Sequence, residues 1–174
     1  MAVQLLASTG SAAQGTSEPA LKALFLFNFV KFTEWPAEAL SPNSVLRMCV
    51  LGDQEVGTAL EDVVKNHQVD GHSLIVTRVN VDGALTSCHV LYVTGIDRRR
   101  SAQLIERVKG ASVFTVSDLD AFAAFGGVGQ LFPENGKMRF ALNPASAQRA
   151  GLRISAKLLA LAKVVKDETG ALRQ

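Results

Sequence analysis

The chain has 174 residues, of which 48% are hydrophobic and 20% are charged. This composition is typical of one folded domain and excludes a disordered chain. Eighteen basic and 16 acidic side chains leave a formal charge of +2, which is too balanced to predict nucleic-acid binding. The basic run Arg98-Arg99-Arg100 follows Asp97 and is interpreted as a solvated helix start. No apolar run of about 18 residues is present, so no transmembrane helix is expected.

Both ends of the chain are expected to lie outside the fold. Residues 1–15, MAVQLLASTGSAAQG, are free of charge and end in small residues. This pattern is typical of a secretory signal peptide that has lost its basic start, and a disordered leader explains it equally well. We therefore predict a leader over residues 1–17, one α/β domain over residues 18–167 and a disordered tail over residues 168–174.

The first predicted element is an apolar helix. Ser17, Glu18 and Pro19 form a typical helix start, and the helix is expected to continue to Trp35, just before Pro36. Its apolar positions cover far more than one stripe. We expect this helix to be buried on more than one side, within its own domain or against a second subunit.

The middle of the chain alternates short apolar runs with helical periodicity. Strands are predicted over residues 45–52, 73–79, 89–95 and 112–118, with helices over residues 55–65 and 99–109 and a short helical piece at 82–87. Near-continuous apolar strands that alternate with helices predict an α/β fold, a mainly parallel sheet covered by helices on both faces.

The final third follows a different pattern. A short helix or loop at residues 121–129 is predicted to precede a C-terminal hairpin of residues 128–132 and 137–142. A helix capped by Asn143 and an extended link at residues 152–154 should follow. Ser155 is then expected to cap a last helix with an apolar face of Leu158, Leu159, Leu161, Ala162 and Val165.

The sequence carries few signs of catalysis. It contains no GxSxG, GxxxxGK[ST] or HExxH motif, and His67, His72 and His89 are scattered. We therefore expect no enzyme activity, no cofactor and no metal site. Cys49 and Cys88 lack the spacing of metal ligands. They could be buried thiols in a reducing cytosol or a disulfide in the periplasm, and composition leaves both possibilities open.

Seven segments in order resemble the YfiR/HmsC family over about residues 20–165. The segments are FLFNFVKFTEWP (25–36), MCVLGD (48–53), VDGHSL (69–74), SCHVLYV (87–93), GASVFTVSD (110–118), KMRFALN (137–143) and AGLRISAKLLALAK (150–163). The resemblance implies a periplasmic homodimer that represses an inner-membrane diguanylate cyclase by binding its periplasmic sensory domain. It also implies an outer-membrane lipoprotein as a further partner, which sequesters the repressor and so raises cyclic di-GMP and biofilm formation.

The resemblance also bears on individual residues. Cys49 and Cys88 occupy the disulfide positions of the family, so the resemblance favours a bond between them. The second cysteine pair that some members carry before the hairpin is missing, and the redox control linked to that pair does not carry over. Ala141 and Leu142 stand where relatives often have an acidic residue.

We predict that the partner binds to the C-terminal third of the domain. Large apolar side chains beside arginines are typical of protein-binding patches, and this segment carries Phe132, Phe140, Arg149, Leu152, Arg153 and Ile154. Core packing is an equally good interpretation of Phe140 and Leu152 taken singly. The alternative function is a small-ligand receptor with a cleft beyond the carboxyl ends of the parallel strands, near Gly52-Asp53 and Gly95.

Overall fold

The computed structural model describes residues 15–168, so the predictions for residues 1–14 and 169–174 lie outside the described residues. The helices are α1 (Glu18–Lys31), α2 (Gln54–Val64), α3 (Arg98–Arg107), α4 (Pro144–Arg149) and α5 (Ala156–Leu161). The strands are β1 (Thr33–Glu34), β2 (Leu46–Leu51), β3 (Gln68–Val69), β4 (His72–Arg78), β5 (Val90–Val93), β6 (Phe114–Ser117), β7 (Gly129–Glu134), β8 (Lys137–Leu142), β9 (Arg153–Ile154) and β10 (Lys163–Val164).

Eight of the strands form one sheet in the order β10-β8-β7-β6-β5-β2-β4-β3. The five strands from β4 to β7 run parallel, β7 and β8 form an antiparallel hairpin, and the short outer strands β3 and β10 complete the sheet. β1 and β9 pair separately. The structure therefore confirms the predicted mainly parallel α/β sheet with a C-terminal hairpin and helix.

Alternate residues of the central strands build two separate cores. On β2, Met48 and Val50 pack in the cluster that contains the buried residues of α1 and α2. Cys49 and Leu51 belong to a second cluster with Leu104 of α3. Since successive side chains of a strand point to opposite faces, α1 and α2 cover one face of the sheet and α3 covers the other. All four residues of β5 and of β6 are buried.

Helix α1 begins as predicted but ends earlier. The hydroxyl of Ser17 accepts a hydrogen bond from the Ala20 amide and caps the helix, while Lys31 is its last residue. The prediction that the helix continues to Trp35 is wrong, because Thr33 and Glu34 form β1 and pair with Ile154 and Arg153 of β9. This pairing needs a segment about 120 residues away, which local periodicity does not reveal.

The C-terminal third contains shorter elements than predicted. Residues 121–126 form turns and no regular helix. The hairpin turns tightly at Asn135-Gly136, where both residues have positive φ (52° and 73°), the backbone that Asn-Gly favours in two-residue hairpins. Helix α5 ends at Leu161, and Lys163 and Val164 then pair with β8. In residues 15–168, no helix has both the length and the apolar character needed to cross a membrane.

Candidate functional site

A disulfide joins Cys49 of β2 to Cys88, which lies two residues before β5. The two Cα atoms are 5.8 Å apart, and the residues are only 1% and 2% exposed. The bond closes a loop that contains α2, β3 and β4. It therefore links the start of β5 covalently to β2, its neighbour in the sheet.

Phe140 and Leu152 lie in the core and do not contribute to a surface. They are 7% and 6% exposed, and the Phe140 ring packs against Phe25 and Phe29 of α1 at centroid distances of 5.7 and 5.4 Å. Phe140 pairs with Leu131 across the hairpin, which places it on the face that α1 covers. The prediction that these two side chains contact a partner is corrected here, since both are buried against apolar residues of the domain itself.

Arg149 and Arg153 are both exposed, but they are held differently. Arg149 bonds to Asp167 through its Nη1 atom at 2.5 Å and donates to the Ser146 hydroxyl at 2.8 Å. Hydrogen bonds from Arg149 hold the pKa of the Asp167 carboxyl below its usual value. Arg153 makes a looser pair with Glu34 at 3.4 Å, and both side chains are more than two-thirds exposed. Such an exposed pair contributes little to stability, so Arg153 can readily exchange Glu34 for another acidic group.

Phe132 and Ile154 are half-buried and leave part of their side chains accessible. Phe132 lies opposite Arg139 on the hairpin, and the ammonium group of Lys163 lies 5.8 Å from the centre of its ring. Ile154 pairs with Thr33 in the small β1–β9 sheet. These two residues therefore lie on different sheets of the C-terminal third.

Two exposed apolar residues of this region were not predicted as part of the surface. Leu161 is 73% exposed and Val164 is 55% exposed, the two highest values among the exposed large hydrophobic residues described. The sequence places Leu161 on the apolar face of a longer helix. The helix ends at this residue, however, and the chain turns into β10. We name Phe132, Arg149, Arg153, Ile154, Leu161 and Val164 the C-terminal surface.

A groove of about 660 Å³ lies between the end of α3 and α4. Its apolar lining includes Ile105, Val108, Phe125 and Val128. Arg149 also lines this groove, together with its ion-pair partner Asp167. The groove therefore offers an apolar cavity directly beside one arginine of the C-terminal surface.

The loops that follow β2 and β5, where a ligand cleft is expected, touch each other. An ideal Cβ atom on Gly52 would lie 2.1 Å from the carbonyl oxygen of Thr94, so the two loops are in direct contact and only glycine fits there. Asp53 caps α2 by accepting a hydrogen bond from the Val56 amide at 3.0 Å. The contacts leave the ligand cleft near Gly52-Asp53 and Gly95 a prediction.

A cluster of polar groups lies one strand further along the same edge. The carboxylate of Asp118, just after β6, accepts hydrogen bonds from Lys22 of α1 at 2.8 Å, Tyr92 at 3.1 Å and Thr94 at 2.7 Å. Glu18 forms a second ion pair with Lys22 at 2.9 Å. Sequence reasoning missed this cluster, because Lys22 and Asp118 are 96 positions apart and neither belongs to a recognisable motif.

The surroundings of this cluster favour the charged forms of both Lys22 and Asp118. Burial by itself disfavours the charge on Lys22, but hydrogen bonds to Asp118 and Glu18 outweigh it and raise the pKa of Lys22 above its usual value. Burial also acts against the Asp118 carboxylate, and the hydrogen bonds from Lys22 and Thr94 still hold its pKa below the ordinary value. Every polar group of the cluster has a partner. The cluster therefore ties α1 to the sheet.

Within residues 15–168, no group of three or more His, Cys, Asp or Glu side chains is arranged to hold a metal ion. Together, these observations define an α/β domain of three layers with an exposed C-terminal surface. No curated protein matches the chain.

The chain belongs to the YfiR/HmsC-like family, whose model matches residues 19–163. The family consists of regulators rather than enzymes.

Two solved structures share the fold. A conserved domain protein from Vibrio cholerae O1 biovar El Tor has a TM-score of 0.54 and 14% identity, covering 86% of this chain and 60% of that one. The ABC domain from Streptococcus pneumonia, solved in complex with L-Trp, has a TM-score of 0.51 and 14% identity, covering 84% of this chain and 60% of that one. The chain thus spans about 60% of the length of each structure, and at this identity the likeness shows the fold alone.

Proposed function

We propose that this protein is a periplasmic regulator that represses an inner-membrane diguanylate cyclase by binding the periplasmic sensory domain of that enzyme. Repression lowers cyclic di-GMP and biofilm formation, and an outer-membrane lipoprotein competes for the regulator. The observation that carries this proposal is the family match over residues 19–163, which spans nearly all of the described domain.

The buried disulfide supports a periplasmic location. Disulfides form and persist in oxidising compartments such as the periplasm and are rare in a reducing cytosol. The Cys49–Cys88 bond lies inside the core at 1% and 2% exposure, where small reductants have poor access. A protein with this bond is suited to a compartment without a thiol-reducing system.

The C-terminal surface has the composition of a protein-binding site. It combines exposed apolar side chains, Leu161 and Val164, with the exposed guanidinium groups of Arg149 and Arg153. Aromatic and arginine side chains are enriched at protein interfaces and often contribute most of the binding energy. The groove beside Arg149 can accept an apolar side chain of the partner. We assign cyclase binding to this surface.

Repression then follows from a shift in population. If the regulator, acting as a homodimer, binds the inactive arrangement of the sensory domain more tightly than the active one, it raises the population of the inactive state. The lipoprotein relieves repression by occupying the same surface. No covalent bond is made or broken in either step.

The experiment is a capture assay combined with a measurement of cyclic di-GMP. The tagged full chain should co-purify a membrane diguanylate cyclase from its own cells, and the double variant Arg153→Ala/Ile154→Ser should bind the periplasmic domain of that cyclase at least about 10-fold more weakly. Arg100→Ala is the matched control, because Arg100 is also exposed and pairs loosely, with Asp97 at 3.9 Å, but lies on α3.

Deleting the gene should raise cellular cyclic di-GMP, and the wild-type chain and Arg100→Ala should restore the low level while the double variant should not. Unchanged affinity of the double variant would refute the assigned surface. Failure to capture any cyclase, with unchanged cyclic di-GMP after deletion, would refute the proposed function.

A further inference from the structure

The last described segment, residues 163–168, lies on the surface of the domain, and we name it the strap. Its strand β10 pairs with the last two residues of β8. The amides of Val165 and Glu168 donate to the carbonyls of Leu142 and Ala124. None of the strap residues is buried. A segment without buried apolar side chains opens at a low cost in free energy, so main-chain bonds and polar contacts hold the strap in place.

One side chain anchors the strap to the domain. The carboxylate of Asp167 accepts hydrogen bonds from the Asn143 amide group at 2.6 Å and from the two terminal nitrogens of Arg149 at 2.5 and 3.2 Å. Hydrogen bonds of this charged kind are roughly twice as strong as neutral ones. Asn143 caps α4 and is fully buried, and Arg149 is the last residue of that helix. The binding site for the carboxylate therefore belongs to the folded domain and persists when the strap opens.

Strand β8, which the strap covers, is longer than the part that the strap pairs with. The amide of Asn143, just after β8, donates inward to the carbonyl of Val128. Main-chain groups alternate between the two sides along a strand, so those of Met138 and Leu142 point outward, away from β7. β10 pairs only with the last two residues of β8, and none of the described strands lies beside residues 137–140 on that side. A longer strand in the place of β10 can therefore pair along the whole of β8.

The surface around this edge is basic. Lys137 and Arg139 lie on the open stretch of β8 and are exposed, and Arg149 lies beyond its end on α4. Arg139 makes only a long ion pair with Glu134 at 3.7 Å, in which both side chains are more than half exposed. Such a pair holds its members weakly. The positive groups along this edge therefore favour a negatively charged segment of a partner.

We propose that the strap occupies the binding site of the partner protein and is displaced when the partner binds. The partner supplies an acidic, extended segment that pairs with β8 and places an Asp or Glu carboxylate on Arg149 and Asn143, where Asp167 lies in the free protein. Addition of a strand to an open sheet edge is a common mode of peptide recognition. The inference rests on the proposed function for the existence of a partner and adds the class of segment that the C-terminal surface binds.

The strap predicts opposite effects for two variants that break the same ion pair. A site that is closed in most molecules has an apparent affinity lowered by the fraction in which it is free. Asp167→Ala opens the strap and leaves the carboxylate site intact, so the partner should bind more tightly. Arg149→Ala removes the carboxylate site itself, so the partner should bind more weakly. A purely structural ion pair would give both variants the same direction of change.

The first experiment measures binding of the full chain to the periplasmic domain of the captured cyclase. Asp167→Ala should bind at least about 5-fold more tightly than the wild type, and Arg149→Ala at least about 10-fold more weakly. Glu106→Ala is the matched control, because it removes an acidic group that lines the same groove and pairs only with Lys109. Its affinity should change by less than about 2-fold. All three variants should keep the circular dichroism spectrum of the wild type.

The second experiment needs no cyclase and uses a labelled peptide, LAKVVKDE, which copies residues 161–168. This peptide should bind the full-length Asp167→Ala variant at least about 5-fold more tightly than the wild type, whose own strap competes with it. The same peptide with Asp167→Ala should bind at least about 10-fold more weakly to that variant. In the wild type, the amides of Val165 and Glu168 should exchange with solvent faster than the amide of Asn143, which bonds within the sheet.

The outcomes separate the strap from the proposed function. Unchanged or weaker cyclase binding by Asp167→Ala would overturn the displacement, and so would strap amides that exchange as slowly as the amide of Asn143. Absence of cyclase binding by every variant, with the peptide bound as expected, would refute the proposed function and still support a displaceable strap. Failure of the peptide to distinguish Asp167→Ala from the wild type would refute the strap even where the cyclase binds.

Discussion

The disulfide-linked centre of the domain and its C-terminal third differ in burial and in the length of their elements. In the centre, all four residues of β5 and β6 are buried and a covalent bond joins β2 to the start of β5. In the C-terminal third, α4 and α5 have six residues each, β9 and β10 have two, and the most exposed apolar side chains lie at their ends. A rigid scaffold that supports an accessible recognition surface is a common division of roles in binding proteins.

The centre of the domain and the C-terminal surface should respond differently to substitution. Changes in the centre should reduce stability and alter partner binding only through unfolding. Changes on the C-terminal surface should leave stability nearly unchanged and alter binding directly, because an exposed side chain loses little when it is replaced.

Removing the disulfide should have the largest effect. The double variant Cys49→Ala/Cys88→Ala should lower the free energy of unfolding by about 4 kcal/mol, because a bond across 39 positions restricts the unfolded chain by that amount in the loop-entropy model. Urea denaturation at pH 7 measures the loss. Alanine fits the buried sites better than serine, since it adds no unpaired hydroxyl group. Wild-type protein unfolded with a reductant present should match the variant, and equal stability of oxidised and reduced protein would contradict the prediction.

Breaking the Lys22–Asp118 pair should have an intermediate effect. Lys22→Met leaves the half-buried Asp118 carboxylate without its cationic partner and should cost about 2 kcal/mol in urea denaturation. Asp118→Asn serves as the matched single variant. The double variant should lose less than the sum of the two single losses, since neither partner is then left unpaired. Strict additivity would show that the two groups do not interact.

The same pair predicts a pH dependence of stability. The pKa of Asp118 is lower in the folded protein than its ordinary value of 3.8, so the unfolded chain takes up the proton first as the pH falls. The stabilisation is therefore fully present above pH about 4 and is lost as the pH falls through the folded pKa. The stability difference between the wild type and Lys22→Met should narrow in this acid range, and a constant difference would argue against the ion pair.

The smallest effects are expected on the C-terminal surface. Leu161→Ser and Val164→Ser should change the free energy of unfolding by less than about 0.5 kcal/mol, because both side chains are more than half exposed. Leu158→Ala, on the same helix as Leu161 but only 4% exposed, should cost about 3 kcal/mol. Thermal unfolding compares the three variants directly. Equal losses at Leu158 and Leu161 would show that Leu161 is covered in solution.

The central strands were predictable because their signal is local. Near-continuous apolar runs bounded by Gly or Asp locate β2, β4, β5 and β6 to within two residues at each end. The caps Ser17, Asn143 and Ser155 act where the sequence predicts. The partner surface was harder to predict. Phe140 and Leu152 have the residue types of an interface, and only their packing in the core shows that they do not face a partner.

By itself, the sequence determined the alternation of helices and strands, the parallel sheet and the positions of the caps, since these depend on neighbours within a few residues. Only the tertiary structure decided where the last helix ends, that Thr33 pairs with Ile154 and that Lys22 bonds Asp118. These features join segments up to about 120 positions apart. The contacts that stabilise these features exist only once the chain has folded, so no local sequence pattern predicts them.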